Sequence, residues 1–566
     1  MLRELRDGEV DFALWVDALC INQQDAREKS IEIRRMRYIY SESHSVIVWL
    51  GFGSEDAVAT VKLIEKVGME DGPLHPDMSE ESLPGWRGVC ELARRPYWQR
   101  LWIIQEILSA TPTAHMWFSG EWVEMRYFLV ATSVLLVLNR ARFAKLCQNT
   151  KISSPSLDHD GTLSHMKTLL FLQHYISKIE KNPYLGHVAL LELLNFGAKA
   201  QQADPRDKIY GLLGLMDPRV QQEVEVDYNK PYPEVYRDFA RMIVEKSGNL
   251  DIIFQQASNP SRIRQQDETE LSGRTIDHDC PDLPSWTPNW LLCRTLDDHA
   301  SGALGHNYAF FDAAHGTRHI PQQETNVNHL TCRGLLYASV DGLGCSHSAS
   351  KHHDTHDVVA PISPVKVICH YIYRHWDRAR DNMWAALTLG MIKVYDDPDR
   401  DALFRLPYFP DLIDRAETSG SPNPSWTYEG GPDDFRVLVQ WQRCNRDFSL
   451  FGNPLPAYFE EASESFFQRP KEPPKDDHAS LWDMRNILAQ RRIATTTGGD
   501  LVLVPQGARQ RDVIFILRGC NAPVVLRPRD DGTWYLVGEC YIHAVMQGSI
   551  MKQYMEGHKD EDVVIR

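Results

Sequence analysis

Asp17 closes a short apolar run, FALWV over 12–16. A carboxylate at the end of a strand is where an open α/β sheet meets its ligand. The same side chain, with Asn22, could instead cap a turn or the following helix. Both readings stand. Cys20 has no histidine near it in sequence to activate it and reads as a small buried hydrophobe. Asn22, Gln23 and Gln24 could hold a ribose or a base edge, although capping and loop anchoring is the favoured reading of them. Arg94, Arg95 and Arg100 carry the forked donors that grip a pyrophosphate, or else lie as solvated helix ends. Trp15, Trp49, Trp98 and Trp102 offer ring faces on which a flat base could stack, yet all sit in apolar runs or on an apolar face, which favours core packing. The tract CSHSASKHHDTHD (345–357) gathers His, Cys and Asp, but without zinc-finger spacing, and reads as a solvated loop; no metal is expected.

The elements that must position these residues follow from periodicity. Strands are expected at 12–16 and 45–50, with a helix between them. Asp25 and Glu28 resemble a capping box for that helix, and Ile31, Met36, Ile39 and Tyr40 give it a broken apolar face. Strand, helix, strand is the signal of a parallel sheet. Helices are expected at 54–67, 86–94, 96–109, 126–148, 163–199, 207–216 and 231–247. In the 96–109 stretch Trp98, Leu101, Trp102, Gln105 and Leu108 would share one face. Asp204 or Asp207 would cap the helix after DPRDK, with Tyr210 and Gly211 allowing close packing. Residues 256–282 read as a polar linker, and 418–434 and 468–480 as mobile segments. Beyond the linker lie short apolar runs at 328–339, 359–369, 500–504, 512–518, 523–527 and 533–537, the pattern of a β-rich domain, and one helix at 379–394. The block LPSWTPNW (283–290) reads as a rigid extended segment that docks Trp286 and Trp290 into that domain. The expected organisation is an α/β domain over 1–125, a helical region over 126–255 and a β-rich region over 256–566.

Composition bounds the function. The 566 residues carry 61 Lys+Arg against 77 Asp+Glu, a net charge of −16, which argues against broad binding of nucleic acid or an anionic membrane. The longest apolar run, FLVATSVLLVL at 128–138, is too short to span a bilayer and suits a buried helix. No secretory leader is visible and the 11 cysteines form no CxxC pair, so a reduced, cytoplasmic protein is expected. No P-loop, GxGxxG, GxSxG or HExxH is present, which removes support for nucleotide triphosphate hydrolysis, dehydrogenase and α/β-hydrolase chemistry.

Several blocks carry a resemblance: LWVDALCINQ (14–23), YSESHSVIVWLG (40–51), RPYWQRLWIIQE (95–106), DPRDKIYGLLG (204–214), LPSWTPNW (283–290), GDLVLVPQGARQRDVIFILRGCNAPVVLR (499–527) and YLVGECYIHAVM (535–546). In this order they resemble the fungal heterokaryon incompatibility (HET) domain family. The resemblance implies non-self recognition, triggered cell death, and a TIR-like, flavodoxin-like parallel sheet. The family's opening strand and loop, Y-x-A-L-S-Y-x-W-G, is not found in the eleven residues before Phe12, so the sheet is expected to lack its first strand. The C-terminal block departs from the pattern as well. Arg511 stands where the family favours Gly, and Ala544 and Ser549 where Gly and Glu are common.

WIIQE (102–106) resembles the W-C-x-x-E helix of TIR domains, which makes Glu106 the implied catalytic carboxylate for cleavage of the nicotinamide–ribose bond of NAD. Asp17, Trp102 and Arg100 are the candidate substrate-binding residues, on the readings of strand end, ring face and guanidinium fork given above. The plain alternative pairs Glu106 with Arg95 or Arg100. No cofactor is implied, since NAD would be the substrate. Protein partners or a homo-oligomer are implied by TIR-like assembly. Three mechanisms remain open from the sequence: an NAD glycohydrolase, a non-enzymatic signalling module, and a degenerate copy with neither activity.

Overall fold

The computed structural model describes residues 13–52, 56–69, 76–77, 79–110, 114–135, 186–255, 283–291, 311–346, 358–362, 407–408, 410, 432–450, 452–461, 487–488, 491–555 and 560–566. The chain forms two compact units, one of residues 1–236 with 293–298, the other of residues 237–292 with 299–566. The fold is mixed, with helices and a small sheet in the first unit and a β-rich second unit.

The first unit opens with an irregular stretch at 13–16 that runs into the helical turn α1 (Asp17–Cys20). The strand expected over 12–16 is therefore not formed by its described residues, and Phe12 lies outside them. The reason is local. The Val16 carbonyl accepts from the Leu19 and Cys20 N–H groups, which curls the chain, and Trp15 packs edge-on against Tyr40 at 5.7 Å. Cys20 is exposed, contrary to its reading as a buried hydrophobe. Helix α2 (Ala26–Ser41) is capped as expected, with Asp25 accepting from the Arg27 and Glu28 N–H groups. Glu28 reaches back to the Asn22 N–H at 3.0 Å, one turn further than a standard capping box. Ile33 and Met36 are its buried residues, whereas Ile31 is exposed.

Strand β1 (Val46–Gly51) pairs in parallel with β2 (Ala114–Phe118), which pairs antiparallel with β3 (Glu121–Glu124). Only the β1–β2 pair is parallel among the described strands of this sheet. Helices α3 (Ala57–Met69), α4 (Leu83–Ala93) and α6 (Met125–Ser133) pack together beside it. Gly88 makes the α3–α4 approach possible: a Cβ there would lie 1.8 Å from the Thr60 hydroxyl.

The stretch expected as one helix over 96–109 is broken. Pro96–Gln99 is a 3-10 turn and α5 begins at Trp102 and ends at Ala110. Between them Arg100 is extended, because Gln201 takes the ladder: Leu101 N–H donates to Gln201 O at 2.8 Å and Gln201 N–H to Gln99 O at 2.6 Å. Trp98 and Leu101 are thus not on a face shared with Trp102. The expected helix at 207–216 is likewise a short helix, Asp207–Tyr210, followed by a 3-10 turn at Leu213–Leu215. Parts of the helices expected at 126–148 and 163–199 are seen as α6 and Gly186–Lys199; residues 136–185 lie outside the described residues.

In the second unit β4 (Leu330–Leu343) is long enough to serve two sheets. Short pairs follow: β5 (Pro407–Tyr408) with β8 (Glu460–Glu461), and β6 (Ser449–Leu450) with β7 (Asn453–Pro454). One half of β4 then pairs with β9 (Arg491–Thr496), which pairs with β10 (Leu501–Pro505). The other half pairs with β11 (Val513–Leu517), and the ladder continues through β12 (Val524–Pro528), β13 (Trp534–Glu539) and β14 (Glu561–Ile565). Strand β14 returns to β4, so the ladder closes on itself as a barrel and hides its edges. Val340, Ala494, Val502, Ile514, Ile516, Val525 and Val537 fill the core. Trp286 and Trp290 are fully buried, as expected, with indole N–H bonds to Asn328 O and Gln255 Oε1, each at 2.9 Å. The expected linker at 256–282, the helix at 379–394, the mobile segments 418–431 and 468–480, and most of the His tract lie outside the described residues. Residues 432–434, expected to be mobile, instead begin the helix Pro432–Cys444.

Candidate functional site

Helix α5 is short and apolar, and Ile103, Ile104, Ile107 and Ala110 bury it in the first unit. Glu106 is drawn in with them and is only 7% exposed. Burial disfavours its charged form, and its pKa is pushed up to about 6. The nearby Arg100 guanidinium works in the opposite direction, the Asp17 carboxylate adds to the rise, and a hydrogen bond from Tyr97 opposes it. Tyr97 OH donates to Glu106 Oε2 at 3.3 Å. Tyr97 is itself held above the usual phenol range by burial, then by Glu106. Tyr40, on α2, is raised by burial and by the Glu106 and Asp17 charges. The chain therefore brings Asp17, Tyr40, Tyr97, Arg100 and Glu106 into one electrostatic cluster.

Three of the residues singled out from sequence, Asp17, Arg100 and Glu106, meet there; the two tyrosines were missed. Asp17 Oδ1 also accepts from the Ala18 N–H at 2.7 Å, so the carboxylate both steadies its turn and faces the cluster. Arg100 is exposed, with its guanidinium carbon 5.8 Å from the centre of the Tyr97 ring. No ion pair joins Glu106 to Arg95, which binds Glu91 at 2.9 Å.

Trp102 is half-buried, and its indole N–H donates to Asp207 Oδ2 at 3.2 Å. Asp207 is not the helix cap expected for it. Its other oxygen takes the Tyr228 hydroxyl at 2.5 Å, and burial raises its pKa. Asp204 instead binds the Arg206 N–H at 2.9 Å and its guanidinium at 2.7 Å. Lys208, buried, donates to the Gly197, Ala198 and Ala200 carbonyls at the end of Gly186–Lys199. A Cβ on Gly211 would stand 2.9 Å from Asp207 O and 3.1 Å from Leu101, as its reading as a packing residue requires. The DPRDK block is thus a corner that fixes the rotation of α5 through Trp102. Trp98 belongs to the core: its N–H binds Leu92 O at 2.6 Å and its ring stacks on Phe128 at 5.5 Å.

Among the described residues no group of His, Cys, Asp and Glu is arranged to hold a metal. The chemistry open to the cluster is that of a buried carboxyl near neutrality beside an exposed cation: charge stabilisation or proton transfer.

Residues 1–106 match the model of the heterokaryon incompatibility protein (HET) family, and residues 477–560 match the Het-6 beta-barrel domain. The second match covers strands β9 to β13 of the β-rich unit. The chain is also similar to heterokaryon incompatibility protein 6, OR allele, of Neurospora crassa, at 27% identity over 336 residues. That alignment covers 51% of this chain and 46% of the relative, so the chain spans about half the length of the curated relative it matches. No solved structure matches the chain. A HET-family match on the unit that holds the Glu106 cluster and a Het-6 barrel match on the β-rich unit agree with the curated relative, and both point to the heterokaryon incompatibility family.

Proposed function

We propose that the chain is an incompatibility factor in non-self recognition and triggered cell death, and that its HET unit hydrolyses the nicotinamide–ribose bond of NAD through Glu106. The observation that carries this reading is the withdrawn Glu106 carboxyl, raised to about 6 and clustered with Asp17, Arg100 and two tyrosines.

Nicotinamide in NAD is a cation and leaves neutral, so the leaving group needs no acid. Positive charge appears on the ribosyl carbon as the bond breaks, and a carboxylate held there in a poorly solvated site stabilises it. Water completes the hydrolysis. Arg100, exposed at the cluster, suits the pyrophosphate. Trp102 has its N–H committed to Asp207, so it could meet a base only through its ring faces. Glu106 must be anionic to act, and turnover is expected to rise with pH along a limb centred near 6. Nicotinamide release from NAD by the full chain, measured across pH 5–8, tests this. A flat profile or no release would contradict it.

A second reading, recognition of a protein partner or of a second copy, is favoured by the β1–β2 aromatic cluster. Trp49 and Trp117 stack at 3.7 Å, Phe52 stands edge-on to both, and Phe52 and Trp122 are 61% and 45% exposed. A cytoplasmic location is part of the proposal; among the described residues no helix is long and apolar enough to cross a membrane.

A further inference from the structure

Glu106 is one helix turn into α5, and side chains from several elements face it. Asp17 comes from α1, Tyr40 from α2, Tyr97 from the Pro96–Gln99 turn, and Arg100 from the extended link before α5. Arg37, also on α2, is directed to Gly214 O at 2.9 Å, and Asp207 is engaged with Trp102 and Tyr228. Among the described residues, Tyr97 is the group that hydrogen-bonds the Glu106 carboxyl.

Tyr97 is held firmly. The 3-10 turn that carries it begins at Pro96, whose fixed φ narrows the turn's freedom. Its ring meets Trp98 edge-on at 5.1 Å, and Trp98 is anchored in the core. The two-strand bridge from Gln201 then pins the backbone on both sides of Arg100. A hydroxyl on so constrained a ring defines one position for the carboxylate it meets. At 3.3 Å the bond is longer than the roughly 2.7 Å typical of hydroxyl donors, as expected of a catalytic contact before substrate tightens it.

We infer that Tyr97 is the positioning residue of the proposed nucleosidase: its hydroxyl orients Glu106 toward the ribosyl carbon and holds the carboxylate's charge there. The inference rests on the NAD hydrolysis proposed above. A donor to the anion favours it, so removing the hydroxyl leaves Glu106 harder to ionise.

The test uses the full chain as wild type, Tyr97→Phe and Glu106→Gln. Glutamate side-chain carboxyls labelled with 13C report the Glu106 titration directly, assigned as the resonance lost in Glu106→Gln. In Tyr97→Phe the midpoint is expected to rise by about one pH unit, and the pH–rate limb for nicotinamide release to move with it. At pH 6 the ionised fraction then falls from about one half to about one tenth, about a fivefold loss in kcat with little change in KM. Tyr97→Trp, which keeps an aromatic ring but aims its N–H elsewhere, is expected to behave as Tyr97→Phe. If wild type releases nicotinamide and neither variant moves the midpoint or the limb, the role of Tyr97 is overturned while the enzyme stands. If wild type releases none, the hydrolysis reading fails, and the assignment of Tyr97 as its positioning residue fails with it.

Discussion

Glu106 and Asp251 are both carboxyl groups taken out of water, one in each unit, and they are used differently. Asp251 is fully buried and its pKa is pushed up to about 7 by that burial. Yet its oxygens are saturated: Asn521 N–H and Nδ2 donate at 2.8 Å each, and Asn249 Nδ2 at 3.1 Å. That carboxyl ties the turn at Asp251–Phe254 to the link between β11 and β12. Glu106, less deeply buried, has one long hydrogen bond among the described residues and an exposed cation nearby. A large shift with every oxygen met marks a staple. A smaller shift with bonding capacity left over marks a group that can still do chemistry.

The contrast can be broken from either side. The largest expected effect is in the barrel unit. Asp251→Ala strands the Asn521 and Asn249 donors and is expected to cost about 3 kcal/mol, seen as a lower denaturation midpoint. Glu106→Gln is expected to do the reverse. The folded chain raises Glu106 from 4.5 to about 6, so stability present below the lower value is lost as pH climbs through the upper one. The variant should gain about 2 kcal/mol over wild type at pH 8 and nothing at pH 4. A gain that does not depend on pH would show that Glu106 is not strained by its charge.

The smallest expected effect concerns Arg511. Its φ is +74°, in the left-handed region where glycine is at home, and its N–H binds Val340 O at 2.8 Å. The departure from glycine noted in the sequence is therefore a local backbone strain, and Arg511→Gly should recover about 1 kcal/mol in thermal melts.

What was legible in the chain follows the physics of periodicity. The capped helix α2, strand β1 and the apolar barrel strands after 500 announce themselves through turn residues and alternation. Strand β9 did not, because it opens on Arg491 and Arg492. Both are buried, Arg491 against Glu539 and Arg492 against Gly344 O, and a charged pair gives no apolar signal. The break before α5 was hidden because its cause, Gln201, lies a hundred residues away. Glu106, Asp17 and Arg100 were singled out from local motif and position, and the fold brings them near one another. Tyr40 and Tyr97 join them only through tertiary packing, and Asp207 was read as a cap because nothing nearby in sequence shows Trp102 or Tyr228 waiting for it.

Nicotinamide release at pH 7.5, measured on the full chain beside Glu106→Gln and Asp251→Asn, tests the central claim most directly. Wild type is expected to release nicotinamide, Glu106→Gln to fall by a factor of order 10³, and Asp251→Asn to keep near wild-type turnover wherever it remains folded. Release that survives Glu106→Gln, or its absence from the folded wild-type chain, would contradict it.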